Sequence, residues 1–322
     1  METIKTKEPS AQKLALHRIR FFRDAYIRIK KDKYFLLMFT IPLLYLLIFK
    51  YFPIFGNIIA FRRYRVGMGL FGQGWVGLRY FNMFLADPMF WTAFKNSFLL
   101  SILCLAINFP IPIVFALLLN EINNDKFRRV AQTISYLPRF IATVVMMGML
   151  REILSPTNGI VNSFLDLFGI NSIYFLDDPA WYRSVFTLTD TWQYTGWNAI
   201  IYLAALSNIN MELYDAASID GAGRFRQTIH VTIPGILPTI LILLLLSIGN
   251  LLSRGYDKSL LLYTHGNSST SDIIETFVYR MGLVQNSYSY SAAVGLFSSL
   301  LGITLLTGAN ALSRKLTETS LF

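Results

Sequence analysis

The chain has 322 residues, of which 54% are hydrophobic and only 15% charged, with a formal net charge of +10 and a mean hydropathy of +0.46. Soluble domains carry about 25% charged residues, so this composition excludes an ordinary soluble enzyme. It fits an all-α polytopic membrane protein, because each membrane-spanning helix needs roughly 20 apolar residues. The single cysteine, Cys104, excludes an internal disulfide.

Basic residues are concentrated at the amino terminus. Ten of the 29 Lys and Arg residues lie within residues 1–33, interspersed with apolar side chains. The segment 14–29 predicts an amphipathic helix on the inner membrane surface, because Lys and Arg favour the cytoplasmic side and anionic headgroups. This amino-terminal domain explains the net charge without a nucleic-acid partner, and the transmembrane domain follows over 34–322.

Apolar stretches separated by Pro, Gly and charged residues indicate the membrane spans. Six spans are predicted, at about 35–60, 95–119, 130–153, 184–208, 235–253 and 290–312. An even number returns the carboxyl terminus to the cytoplasm, where Arg314 and Lys315 satisfy the preference for basic residues on that side. The loops 120–129 and 210–231 then lie inside, and the loops 62–93, 155–183 and 254–289 lie outside.

Signatures of catalysis are missing from the sequence. The three histidines, His17, His230 and His265, have no metal-ligand spacing, and neither a nucleophile elbow nor a P-loop is present. A Gly-x-Gly-x-x-Gly run at 72–77 lacks the strand and helix that flank a dinucleotide site. We therefore expect no metal, no bound cofactor and no ATPase activity from the chain itself.

The most informative stretch is the loop 211–234, after the fourth predicted span. An acidic residue, two alanines and a glycine predict a short helix with a small-residue face, ending where Gly221 or Gly223 takes a positive φ. Small side chains allow close approach of a partner, and prolines in the first turns of the next span cost little. The residues that form this pattern are Asp215, Ala216, Ala217, Asp220, Gly221, Arg224 and Pro234.

This spacing resembles the signature of the permease subunits of binding-protein-dependent ABC importers, which is Glu-Ala-Ala-x3-Gly-x9-Ile-x-Leu-Pro. The matching residues here are Asp215-Ala216-Ala217, Gly221 and Val231-x-Ile233-Pro234. Asp replaces Glu, Val replaces Ile and Ile replaces Leu. The resemblance implies a type I importer permease fold, in which the loop is a coupling helix that docks into a cleft on a separate cytoplasmic ATPase. Arg224 and Arg226 either lie at the inner headgroups or contact that ATPase.

From about residue 34 the chain is also similar to LplB-type, MalF-like carbohydrate permeases, whose relatives import alginate and pectin oligosaccharides. The resemblance rests on Phe49-Lys-Tyr-Phe-Pro53, Trp75-Val-Gly-Leu-Arg79-Tyr-Phe81, Gly255-Tyr-Asp257 and Asp272-Ile-Ile-Glu275-Thr-Phe-Val-Tyr279-Arg280. It implies ATP-driven uptake of oligosaccharides across the bacterial inner membrane. ATP and Mg would be used by the ATPase, not by this chain.

The same resemblance implies the partners of the chain. They are a second homologous permease, a dimeric ABC ATPase, an extracytoplasmic solute-binding protein, the oligosaccharide and membrane lipid. The loops 62–93 and 254–289 either receive the binding protein or cover the mouth of the pathway. Arg62, Arg63 and Arg65 in the first of these loops contradict the preference for basic residues inside.

Polar and aromatic side chains in the fourth and fifth spans are the candidates for the sugar pathway. Polar residues within a span usually face a cavity, although Trp and Tyr also form interfacial belts and Asn also bonds a neighbouring helix. Positions four apart share a helix face, so the fourth span offers two adjacent pairs, Gln193 with Trp197 and Tyr194 with Asn198. The candidates are Gln193, Tyr194, Trp197, Asn198, Asn250 and Arg254.

Arg254 and Arg280 suit an acidic sugar through charge-assisted hydrogen bonds, or else form salt bridges with Asp257 or Asp272. Two other functions compete with the importer. An ATP-independent sugar transporter or channel would not need the loop 211–234. A membrane-embedded sugar enzyme would need a carboxylate constellation, and the adjacent acidic pair 177–178 fits a helix start better.

Overall fold

Apolar α-helices dominate the described residues, which are 31–67, 69 and 72–317 of a computed structural model. The chain divides into two compact units, Met1–Ile58 and Ile59–Phe322. The amphipathic helix predicted over 14–29 lies outside the described residues.

The helices are numbered here in chain order. They are α1 (Lys33–Leu46), α2 (Arg79–Leu85), α3 (Pro88–Asn108), α4 (Pro110–Asn120), α5 (Asp125–Tyr136), α6 (Thr143–Ile153), α7 (Ile160–Asp166), α8 (Pro179–Leu206), α9 (Met211–Ile219), α10 (Arg224–Gln227), α11 (Ile233–Gly249), α12 (Tyr256–Leu262), α13 (Ser268–Ser271), α14 (Ile274–Tyr279) and α15 (Tyr288–Thr317). Short 3-10 or π-helical segments are Leu47–Tyr51, Phe52–Phe61, Leu137–Phe140, Thr228–Thr232, Leu251–Ser253 and Arg280–Val284. A small antiparallel hairpin pairs β1 (Arg62–Arg63) with β2 (Gln73–Trp75).

Among the described residues, four continuous helical stretches are long and apolar enough to cross a membrane. They are Lys33–Phe61, Pro88–Asn120, Arg224–Gly249 and Tyr288–Lys315. They correspond to the first, second, fifth and sixth predicted spans. The second stretch contains a proline at each helix start, Pro88 and Pro110, where a missing amide hydrogen costs little.

The third predicted span, 130–153, is broken instead of continuous. Its two parts, Asp125–Phe140 and Thr143–Ile153, meet at an angle of 98°. Pro138 cannot donate a backbone hydrogen bond, and Ile141 and Ala142 then adopt extended backbone conformations. The apolar length predicted a continuous span, whereas the structure shows a bent helix pair of the kind found in broken spans and re-entrant loops.

The fourth predicted span is α8, whose 28 residues cover about 42 Å at 1.5 Å per residue. Asp178 caps its first turn by accepting a hydrogen bond from the backbone N–H of Ala180, as the sequence predicted for a helix start. Thr187, Thr189 and Gln193 are buried inside the protein. These polar residues lower the hydropathy of α8, and their burial explains how a membrane helix tolerates them.

Helix packing brings α8 against α3, α4, α5 and α11. Gly196 lies so close to the backbone of Ser135 in α5 that a Cβ atom would overlap it. Cys104 on α3 is buried against Phe186 on α8, as expected for a small apolar side chain. The close packing holds α8 between the other helices, and this arrangement positions the site described next.

Candidate functional site

A central cavity of about 510 Å³ is enclosed mainly by α3, α8, α11 and the segment 253–258. We call it the central cavity. Four of the six predicted pathway residues line it: Tyr194, Asn198, Asn250 and Arg254. The structure therefore brings one pair from α8, Tyr194 and Asn198, together with Asn250 and Arg254 at the end of the fifth span.

Gln193 and Trp197, the other predicted pair, lie outside this cavity. The Gln193 side chain is 1% exposed and donates a hydrogen bond of 3.2 Å to the carbonyl of Ile141. The Trp197 ring meets the Phe140 ring edge-on, with 5.8 Å between centroids. This pair thus packs against the break between α5 and α6, and its assignment to the sugar pathway stays a prediction.

A buried ion pair forms the polar wall of the central cavity. Lys258 Nζ on α12 lies 2.6 Å from Asp190 Oδ1 on α8, and their side chains are 5% and 14% exposed. Asn108 on α3 donates a hydrogen bond of 2.8 Å to the other Asp190 oxygen, and Thr191 donates to the Asn108 amide oxygen. The network joins three separate elements through one carboxylate.

Sequence reasoning did not single out Lys258 and Asn108. Lys258 follows a predicted span and is most simply interpreted as a charge at the membrane interface. Asn108 lies at the end of a helix and is most simply interpreted as a cap. The one sequence signal that could have pointed to this site is Asp190, an isolated carboxylate within a predicted span, since a buried charge requires a partner. Sequence alone does not identify that partner.

The cavity wall at residues 254–258 depends on a left-handed turn. Gly255 has a φ of 89°, and a Cβ atom there would lie 2.6 Å from the Phe186 ring. The glycine therefore satisfies both the backbone conformation and the close approach. The turn starts α12, which carries Lys258 to Asp190, and leaves Arg254 on the cavity wall with no described carboxylate within 4 Å.

Two cations lie over the ring of Tyr194. Lys258 Nζ is 4.9 Å from the ring centroid and the Arg139 guanidinium is 5.1 Å from it. Cation–π contacts of this length stabilise the ring by about 0.5–2 kcal/mol each. The orientation of Tyr194 at the cavity wall is therefore set by α12 and by the break after α5.

Arg280, the second arginine considered for an acidic sugar, is paired within the protein. It donates two hydrogen bonds to the two carboxylate oxygens of Asp272, at 3.0 and 2.5 Å. These bonds raise the pKa of Arg280, so its guanidinium group stays charged. The salt-bridge alternative therefore describes Arg280, and Arg254 is the candidate that remains for an acidic sugar.

Glu275 on α14 is a carboxyl group with a raised pKa. Burial, with a smaller contribution from the nearby Asp257 carboxylate, raises its pKa to about 7. The raised pKa stabilises the folded state at pH values below 4.5, the pKa of the carboxyl group in the unfolded chain. This stabilisation is lost as the pH rises through about 7, the pKa in the folded chain. We expect Glu275→Gln to be more stable than the native chain above pH 7 and to show a flatter stability profile between pH 4.5 and 7.5.

Melting of the two purified complexes across this pH range measures the difference. The Tyr256 hydroxyl near Glu275 does not titrate in this range, because burial raises its pKa above the ordinary value of about 10. Parallel pH profiles for the native chain and the variant would contradict the assignment to Glu275.

The loop 211–234 is the second candidate functional element. Helix α9 begins after Asn210, whose side chain accepts a hydrogen bond from the N–H of Glu212, and it ends before Gly221. The φ of Gly221 is 75°, whereas that of Gly223 is −69°, so the first of the two predicted glycines makes the turn. Asp215 and Ala216 are exposed on α9, Asp220 follows it in the turn, and Pro234 lies in the first turn of α11.

Side-chain hydrogen bonds hold α9 against the start of the fifth span. The Tyr214 hydroxyl lies 2.9 Å from the Thr232 hydroxyl, and Gln227 donates 2.9 Å to Ser218 and 3.0 Å to the Ala222 carbonyl. These bonds connect α9 directly to the chain that enters α11.

Two apolar side chains close in sequence to these hydrogen bonds are exposed. Ile219 is 87% exposed and Phe225 is 78% exposed, on either side of the Gly221 turn. Arg224 contacts Glu121, in the loop after α4, at 3.6 Å. Neighbouring exposed apolar side chains of this size mark an interaction surface.

Membrane-crossing helices around a polar cavity, with an exposed helical loop attached to one of them, define a polytopic membrane transport subunit. The model of the family described as binding-protein-dependent transport system inner membrane component matches residues 108–318. The chain belongs to this family. It is an ABC permease subunit of the inner membrane and a transport subunit rather than an enzyme, as the sequence resemblance implied.

Individual relatives agree with this assignment. Protein LplB of Bacillus subtilis is 40% identical over 294 residues, which cover 91% of this chain and 92% of LplB. The polygalacturonan/rhamnogalacturonan transport system permease protein YteP of Bacillus subtilis is 39% identical, over 92% of each chain. One chain of the crystal structure of a bacterial alginate ABC transporter, in complex with alginate pentasaccharide-bound periplasmic protein, aligns with a TM-score of 0.85 at 35% identity. That alignment covers 92% of this chain and 99% of the other and confirms the predicted type I fold.

Proposed function

We propose that the chain and a second homologous permease form the pathway of an ATP-driven importer for oligosaccharides of acidic polysaccharides. The observation that carries the proposal is the central cavity, where Tyr194, Asn198, Asn250 and Arg254 converge. Similarity to the polygalacturonan/rhamnogalacturonan permease and to the alginate transporter supports this class of substrate.

The cavity wall offers the groups that a sugar acid requires. The ring of Tyr194 presents apolar surface to a sugar ring, and the amides of Asn198 and Asn250 bond its hydroxyls. Lys258 and Asp190 neutralise each other, whereas Arg254 has no described carboxylate within 4 Å. The guanidinium of Arg254 is therefore free to bind a uronate carboxylate through two parallel hydrogen bonds.

The loop 211–234 couples this pathway to ATP hydrolysis. Its helix α9, with Asp215, Ala216 and Ala217, docks into a cleft on a dimeric cytoplasmic ATPase, and that ATPase binds ATP and Mg. The exposed Ile219 and Phe225 on either side of Gly221 support this role. Closure of the ATPase dimer moves α9, and the bonds from Tyr214 and Gln227 pass the movement to α11.

The membrane topology follows from the same assignment. The loop 211–234 faces the cytoplasm, so both termini are cytoplasmic and the basic segment 1–33 lies on the inner membrane surface. The loops 62–93 and 254–289 face outward. A solute-binding protein delivers the oligosaccharide to that outer side.

Replacing Arg254 tests the acidic-sugar part of the proposal. We expect Arg254→Gln to lower uptake of trigalacturonate at least tenfold and uptake of neutral maltotriose less than twofold, because a charge-assisted hydrogen bond contributes about 1.5–3 kcal/mol. The measurement is uptake into proteoliposomes that contain the complete importer and its binding protein. Arg129→Gln, at an exposed arginine of α5 that does not line the central cavity, is the matched control.

Equal losses for the charged and the neutral trisaccharide would contradict the role of Arg254 in recognising a carboxylate. Uptake of maltotriose without any uptake of trigalacturonate by the native importer would contradict the substrate class itself.

A further inference from the structure

A second, larger cavity lies near the hairpin that follows the first predicted span. Its volume is about 960 Å³. We call it the outer cavity, because the proposed topology places it on the outer face. Its wall comes from the residues after Arg62, from α2 and from the start of α15. The lining side chains used below are Arg63, Tyr64, Arg65, Arg79, Tyr80, Asp87, Tyr288 and Tyr290.

The charges on this wall are unbalanced. Arg63, Arg65 and Arg79 line the outer cavity, and among the described residues none of their guanidinium groups has a carboxylate within 4 Å. Asp87 is the one carboxylate among the described lining residues, and both its oxygens are occupied. One accepts from the N–H of Met89 at 2.9 Å and the other accepts from the Tyr290 hydroxyl at 2.8 Å. The cavity therefore attracts an anion.

The wall is held in place by bonds between distant parts of the chain. The N–H of Tyr64 donates 3.0 Å to the Ser289 hydroxyl, which in turn donates 2.8 Å to the carbonyl of Arg62. The rings of Tyr64 and Tyr288 meet edge-on at 5.7 Å. These contacts fix the backbone next to Arg63 and Arg65 relative to the start of α15, so both arginines are anchored at the edge of the outer cavity.

Membrane insertion does not account for these arginines. Basic residues favour the cytoplasmic side of a membrane protein, and Arg62, Arg63 and Arg65 lie on the proposed outer side. Their position opposes the topology, so a different function explains them better. Guanidinium groups bind carboxylates through two parallel hydrogen bonds, and tyrosine rings pack against sugar rings. The volume is at the upper end of the range of about 300–1,000 Å³ for ligand sites.

We propose that the outer cavity is a second carbohydrate-binding site, in which Arg63, Arg65 and Arg79 bind the carboxylates of a uronic-acid oligosaccharide. The inference rests on the proposed function, since it concerns the same class of substrate. The site captures the anionic chain before it reaches Arg254 in the central cavity. Tyr288 and Tyr80 provide the apolar surface for its sugar rings.

A binding measurement without transport tests this site. The complete importer, without its solute-binding protein, is purified with Arg254→Gln so that trigalacturonate binding reports the outer cavity. Saturation-transfer NMR gives the affinities for trigalacturonate and for maltotriose, before and after Arg63→Gln, Arg65→Gln and Arg79→Gln are added together. The expected result is at least a tenfold loss of trigalacturonate affinity. Arg129→Gln in the same background is the control and leaves the affinity unchanged.

Three results would overturn the inference. The first is unchanged trigalacturonate affinity in the triple variant, and the second is equal affinity for maltotriose and trigalacturonate in the Arg254→Gln background. The third is weaker docking of the sugar-free binding protein with unchanged trigalacturonate affinity, which would assign the arginines to protein docking. Arg79→Gln alone, at an exposed position on α2, gives the same readout if the triple variant does not fold.

The binding assay also separates this inference from the proposed function. If Arg254→Gln loses trigalacturonate uptake but keeps trigalacturonate binding at the outer cavity, both the proposed function and the outer binding site are supported. Uptake restricted to neutral sugars in the native importer would reject the proposed substrate class. In that case, trigalacturonate binding that depends on Arg63, Arg65 and Arg79 would still support the outer binding site. Absence of such binding would overturn the outer site as well.

Discussion

Asp190→Asn is expected to destabilise the folded complex by about 3–5 kcal/mol, because it leaves the ammonium group of Lys258 buried without a counter-charge. The Lys258 side chain is 5% exposed and its Nζ lies 2.6 Å from the Asp190 carboxylate. For a chain of this size the loss corresponds to a fall of roughly 4–8 °C in melting temperature. Heating the purified complex and measuring the fraction that stays monodisperse on size-exclusion chromatography gives this temperature.

A second substitution separates the charge from the shape of the site. Asp190→Asn combined with Lys258→Met removes both charges, and replacing a buried ion pair with neutral groups is often close to neutral for stability. We therefore expect the double variant to recover most of the lost melting temperature. A double variant no more stable than Asp190→Asn alone would show that the ion pair does not account for the loss.

The chain contains a matched control for this experiment. Arg128 and Asp125 on α5 form an ion pair of the same length, 2.6 Å, but with side chains 39% and 68% exposed. Exposed pairs contribute about 0–1 kcal/mol. Asp125→Asn should therefore change the melting temperature by no more than a few degrees, and a fall as large as that of Asp190→Asn would contradict the role assigned to burial.

Local chemistry explains which features the sequence predicts well. The left-handed turn at Gly221 and the start of the fifth span at Pro234 depend on residues within one turn, so their conformations follow from the residue types. The cap at Asp178 follows in the same way. Apolar length likewise predicts the long helices, because the bilayer thickness is a fixed requirement.

Contacts between distant residues explain what the sequence leaves open. Helical periodicity places Gln193 with Trp197 and Tyr194 with Asn198, but the neighbouring helices decide which pair faces the central cavity. Asp190 and Lys258 are 68 residues apart, and Tyr64 and Ser289 are 225 apart. Neither pairing has a signature in the order of residues. In the sequence, Arg62, Arg63 and Arg65 stand out only because they contradict the preference of basic residues for the cytoplasmic side.

The largest effect on function is expected at the exposed face of α9. Ala216→Arg introduces a long side chain where Ala216 is exposed and small, so the chain itself should fold normally. Docking of α9 into the ATPase cleft should weaken by about 2–4 kcal/mol, the usual range for a central interface position. That loss corresponds to a roughly 30- to 1,000-fold weaker complex, since 1.4 kcal/mol is tenfold. Oligosaccharide uptake and the ATPase subunits recovered with the tagged permease should fall together.

Asn123→Arg provides the matched control, because Asn123 is also exposed but belongs to the loop before α5. It adds the same charge and bulk outside α9, on the face that the proposed topology places in the cytoplasm. If both substitutions release the ATPase equally, docking does not depend specifically on α9. If Ala216→Arg retains the ATPase but abolishes uptake, the helix transmits movement without holding the partner. The bonds from Tyr214 and Gln227 to the start of α11 would then carry the coupling, and Tyr214→Phe should reproduce part of the loss.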